Sequence, residues 1–155
     1  DRTSARAVHP LPGARRPQPE LATLLLLLAG TAHAGDHWCG LPSAHPLDAA
    51  HAVAMEASGG VTVDMHDAQT AAFEGWDGEL NRLYRDAMQQ FGKDMRADAL
   101  RTAQRAWLAW DRAETRSDLA QQADGGSSGP LIVTALATQR RRARACSLHD
   151  MQDTP

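Results

Sequence analysis

An all-α fold is predicted for this chain, and three observations predict it. Phe73, Trp76, Leu80, Leu83, Ala87 and Phe91 recur at steps of three and four, which draws one apolar stripe along a 3.6-residue helix. Leu100, Ala103, Trp107 and Trp110 draw a second stripe of the same period. Only Gly92-Lys93-Asp94 separates the two, so the segments must turn back on each other. The expected architecture is a long antiparallel helical hairpin plus a third C-terminal helix, preceded by an irregular N-terminal arm.

From the front, Leu21 to Ala29 is an apolar run of the length of a signal-peptide h-region and too short to span a bilayer. Arg15 and Arg16 precede it, and Ala32-His33-Ala34 supplies a small-x-small cleavage pattern. Residues 1–34 are therefore expected to be removed, giving a periplasmic or secreted product with no transmembrane segment. Residues 35–61 read as an irregular arm, because Pro42, Pro46 and Gly59-Gly60 interrupt them. A helical domain is expected over 62–150. Gly92 suits the residue that ends the first long helix, and Asp94 can accept from the free N–H groups that open the next. In register, Trp76 should lie near Trp110 and Leu80 near Trp107. Each indole buries roughly 150–250 Å², so the tryptophans are expected to carry much of a small core. Gly125 to Gly129 reads as a flexible connector. Pro130 fits the first turn of the third helix, Leu131, Ile132 and Leu136 give it a weaker stripe, and Arg140, Arg141, Arg142 and Arg144 load its second half.

Charge narrows the function. The chain carries 16 basic and 19 acidic residues. Residues 1–34 hold four of the arginines and two of the acids, so the mature product would keep 12 and 17, a net charge of about −5. Such a protein is a poor candidate for nucleic-acid binding, and the C-terminal arginines are read as a solvated helix face that balances the dipole. Cys39 and Cys146 both survive cleavage. In an oxidising compartment the favoured reading is a disulfide between the arm and the last helix. His37, Cys39, His45 and His51 have donor types that suit zinc or copper, but their spacing matches no closed zinc pattern. No metal and no cofactor are assigned, and the histidines are read as scattered on the surface. Asp77, Asn81 and Tyr84 share one helical flank; Gln104, Trp107, Asp111 and Glu114 share another. A hydrogen-bond network that fixes register is preferred there over catalysis, because two carboxylates without a cleft and a raised pKa do not make a glycosidase. No catalytic residues are assigned, and an enzyme is not expected.

Asp77-Gly78-Glu79-Leu80-Asn81 with Tyr84, Leu100-Arg101, Gln104-Arg105-Ala106-Trp107, Ala113-Glu114, Gly125-Gly126-Ser127 with Pro130, Arg144 and Leu148 form an ordered series. In that series the chain resembles the LprI-type lysozyme-inhibitor N-terminal domain over roughly residues 64–148. The resemblance implies a bacterial envelope protein whose partner is a lysozyme-type or other cell-wall lytic enzyme. The chain departs from the family where cysteines are usual: Ala68, Thr115 and Leu136 stand there, and Leu136 is expected at a dry core position. The order Asp111-Arg112 is reversed, and Arg141 replaces a threonine. A function that needs the family's bridges is not carried over.

Two functions follow. One is an exported helical binding protein that inhibits a lysozyme-type enzyme, with contacts drawn from Asp77, Asn81, Tyr84, Gln104, Asp111 and Glu114 or from the Gly125, Gly126, Ser127 loop. The other is a structural or assembly module of the envelope, in which Met65, Met88 and Met95 offer an adaptable contact. Sequence leaves the oligomeric state open.

Overall fold

The computed structural model describes residues 37–152. The expected leader and its cleavage site lie outside these residues. A 3₁₀ turn at Trp38–Gly40 is followed by four helices: α1 (Pro46–Ala57), α2 (Thr62–Phe91), α3 (Met95–Gln121) and α4 (Ser128–Gln152). No strand occurs among the described residues, and none of their helices is long and apolar enough to cross a membrane.

The ends of the helices follow local chemistry. Asp94 caps α3 by accepting from the Arg96 N–H. Gly92 ends α2 at φ 60°, a conformation that suits a residue without Cβ. The helix expected around Pro130, α4, starts at Ser128, two residues before that proline. The arm is not irregular throughout, because its middle forms α1. Pro46 opens that helix as its first residue instead of breaking the chain, and His45 Nδ1 caps it by accepting from the Leu47 N–H.

Side-chain ties fix the directions. Arg141 on α4 reaches Asp77 on α2, and Gln152 reaches the carbonyl of Leu83, so α2 and α4 run parallel. Arg144 reaches Gln104 and Arg140 reaches Asp118, so α3 runs opposite to α4. The core lies chiefly between α2 and α4. Trp76, Leu80, Leu83 and Ala87 face Ala145 and Leu148 there, with Leu100 of α3 and Trp38 of the first turn closing the cluster. Gly75 lets α1 lie close on α2, since a Cβ there would stand 2.6 Å from a methyl of Leu47.

The expected tryptophan pair does not form. Trp76 is 1% exposed, but its ring neighbours are Trp38 and His45, while Trp110 is 47% exposed. Asp77 and Asp111 share Arg141, so these two tryptophans do sit at one level along the bundle. They face different ways. The buried face of α3 runs Ala97, Leu100, Gln104, Asp111, Asp118, so the inward side of its second half is polar. Ala103 and Trp110, read as apolar stripe, point to solvent.

Candidate functional site

Four arginines on α4 organise the polar seam. Each nitrogen of the Arg140 guanidinium is engaged: Nε donates to Asp111 Oδ1 at 2.8 Å, Nη1 to Asp118 Oδ2 at 2.7 Å and Nη2 to Thr115 Oγ1 at 2.9 Å. Arg141 Nε donates to Asp77 Oδ1 at 2.9 Å and its Nη1 to Asp111 Oδ2 at 3.2 Å, with the guanidinium carbon 4.1 Å from the centre of the Phe73 ring. Arg142 holds Asp48 of α1 with Nε and Nη2, and Asp48 Oδ1 also accepts from Trp76 Nε1. Arg144 Nε donates to Gln104 Oε1 at 2.9 Å.

These are not solvated residues balancing a dipole. The side chains of Arg140 and Asp111 are 12% and 5% exposed. A guanidinium can enter such a place because its five donors match several acceptors at once. Burial works to lower the pKa of Arg140, but hydrogen bonds and charge from Asp111 and Asp118 outweigh it and hold the group further in its charged form. Among the described residues no carboxylate pairs with Arg144, and burial pushes its pKa down. Its Nη2 is buried with no acceptor among the described residues.

A second constellation sits at the front. Cys39 and Cys146 form a disulfide, so the N-terminal arm is tied covalently to α4. It closes over an aromatic cluster: Trp38 lies 5.2 Å from Trp76, 5.0 Å from His45 and 5.3 Å from His149, centre to centre, and Trp38 Nε1 donates to the Arg142 carbonyl at 2.8 Å. His45 is thus packed and not scattered on the surface. With Cys39 oxidised and His45 Nδ1 capping α1, two of the four grouped donors are already engaged.

Several clefts flank the seam, and two matter here. One of about 260 Å³ lies between α1, α2 and α4 and is lined by Asp48, His51, Trp76 and Arg142. The other, open and about 520 Å³, runs between α3 and α4 past Trp107, Trp110, Glu114 and Arg144. Leu136 lines it half-buried, not in a dry core.

The structure brings only some of the sequence-selected residues together. Asp77 and Asp111 meet through Arg141, and Gln104 meets Arg144. Asn81 is exposed and donates back to Asp77, while Tyr84 packs half-buried against the core. Glu114 stands in the open groove. Gly125, Gly126 and Ser127 are exposed in the α3–α4 loop, away from the seam residues in sequence and at the end of the bundle. Sequence reasoning missed Asp48, Asp118 and the arginines as their partners. The legible signal was the seven-residue step from Asp111 to Asp118, which repeats one helical face opposite a run of arginines.

Comparison with known proteins gives one match. The family model described as Lysozyme inhibitor LprI matches residues 54–148, which take in the end of α1 and nearly all of the three long helices. No curated protein and no solved structure matches.

Proposed function

From the premise that this chain belongs to the LprI lysozyme inhibitor family, we infer that it is an exported, non-catalytic binding protein whose partner is a lysozyme-type cell-wall lytic enzyme. The family match across residues 54–148 is the observation that carries this reading. Charge supports it. A mature chain near −5 would be steered toward a strongly basic enzyme, and the association rate would fall with added salt. The acids of the seam are unsuited to that contact, because Asp111, Asp118 and Asp77 are already committed to arginines. The contact surface of this reading is instead the α3–α4 loop, where Asp124, Gly125, Gly126 and Ser127 are all exposed at the tip of the bundle. The loop is short and anchored at both ends. Gly129 packs against the carbonyl of Gln122, so little order has to be gained on binding.

Titration of purified mature protein against lysozyme activity at low salt tests the reading. Inhibition that weakens as salt rises is expected, and full lysozyme activity at large excess of this protein sinks it for that enzyme. A role as an assembly module of the envelope draws on one observation, the exposure of Met95, Trp110, Leu119 and Ile132. Sedimentation of the mature protein as a clean monomer removes that second reading.

A further inference from the structure

The groove between α3 and α4 has the chemistry of a small-ligand site, and nothing in the inhibitor reading uses it. Trp107 and Trp110 stand three residues apart on one flank of α3, and Glu114 follows four residues on. Leu136 and Gln139 form the facing wall, and Arg144 lies on the same helix two turns further. The volume of about 520 Å³ falls within the usual range for sites that take a small molecule.

Three features define the ligand. First, a tryptophan with nearly half its surface in water is unusual for so large an apolar ring, and its neighbour Trp107 is only partly covered. A flat indole face with a polar edge suits a molecule that is itself flat, apolar on its faces and polar at its rim. A pyranose ring has that shape. Second, charge is arranged along the groove. Arg140 is neutralised by Asp111 and Asp118, whereas Arg144 meets Gln104 and has no carboxylate partner among the described residues. Its Nη2 is closed off from water with no acceptor among the described residues, while Arg144 as a whole forms part of the groove wall, so a carboxylate laid there would meet a cation that no described carboxylate neutralises. Third, polarity differs between the ends. Arg144 sits at the level of Gln104, whereas Glu114 lies ten residues along α3, about 15 Å away. Glu114 and Gln139 can receive hydroxyl and amide hydrogens at that end.

We propose that this groove binds a short saccharide bearing a carboxylate, its rings stacked on Trp107 and Trp110 and its acid group set against Arg144. The proposal does not depend on lysozyme inhibition and can fail separately from it.

Titrations followed by tryptophan fluorescence and by calorimetry test it with two probes: a muramic-acid-containing disaccharide, which carries a carboxylate, and the neutral chitobiose. The full mature protein is expected to bind the acidic probe at least tenfold more tightly than the neutral one. Trp110→Ala, at an exposed position, should keep the helical circular dichroism and the melting temperature and weaken both probes by tenfold or more. Arg144→Gln should abolish the preference for the acidic probe while leaving the neutral one bound as before. Absence of binding by either disaccharide up to 10 mM overturns the proposal, as does binding that neither variant alters. If Trp110→Ala abolishes lysozyme inhibition while no disaccharide binds, the groove is a protein-docking face and the saccharide assignment is wrong.

Discussion

Asp111 is the residue on which the polar seam turns. It receives two arginines at once, Arg140 and Arg141, in a place from which water is nearly excluded. A buried ion pair has little net worth against an apolar alternative, but removing one partner leaves an uncompensated charge. Asp111→Asn is therefore expected to lower the unfolding free energy by about 3 kcal/mol in urea denaturation. Asp77 meets the same Arg141, yet its side chain is 45% exposed and water can replace it. Asp77→Asn should cost less than about 1 kcal/mol. Equal losses for the two variants would show that the seam is wetter than its geometry implies. Neither aspartate could be separated from the other in the sequence, where both were simply acids on helical flanks. Their difference comes from which side α4 covers, and that is a tertiary fact.

At the scale of elements, the helices themselves were legible and their facing was not. The boundaries of α2 and α3 follow from Gly92 and Asp94, whose chemistry acts within a few residues. Periodicity then misled over the second half of α3. An apolar stripe locates a helix's buried face only when the interface is dry, and here the inward side carries Gln104, Asp111 and Asp118 to meet arginines. The helix α1 was lost for the opposite reason. Pro46 reads as a breaker in sequence but occupies the one helical position where proline is favoured, and α1 buries no residue fully. Two glycines test the elements directly. Gly78 lies exposed within α2 with open space where a Cβ would go, so Gly78→Ala should raise stability by about 0.5–1 kcal/mol. A Cβ on Gly129 would fall 2.8 Å from the carbonyl oxygen of Gln122, a backbone atom that cannot rotate away. Gly129→Ala should cost about 1–3 kcal/mol, and thermal melts of the two variants should move in opposite directions.

For the whole molecule, the covalent tie was legible and its surroundings were not. Two cysteines in a chain read as exported predict a bridge, and Cys39–Cys146 is present. That the arm would deliver Trp38 and His45 into a cluster with Trp76 and His149 could not be read from local pattern, because these rings come from three separate parts of the chain. The bridge closes a separation of 107 residues. Replacing Cys39 and Cys146 together by serine should lower the unfolding free energy by up to about 4–5 kcal/mol through the freedom returned to the unfolded chain. Helical circular dichroism at low denaturant should persist, since the contacts between α2 and α4 do not need the sulfurs. Loss of helix in that double variant would mean that the arm, and not the long helices, organises the core.

One property of α4 reaches beyond stability. Asp48, Asp77, Asp111 and Asp118 all find their counter-charges on this final stretch, and Cys39 finds its sulfur there too. A chain emerging front-first, whether from a ribosome or a pore, therefore displays these four aspartates without their arginines until α4 arrives. Assembly is completed late: α1 can already lie on α2, and Trp38, His45 and Trp76 can already meet, but a product cut short before residue 140 lacks the cations that answer its buried acids.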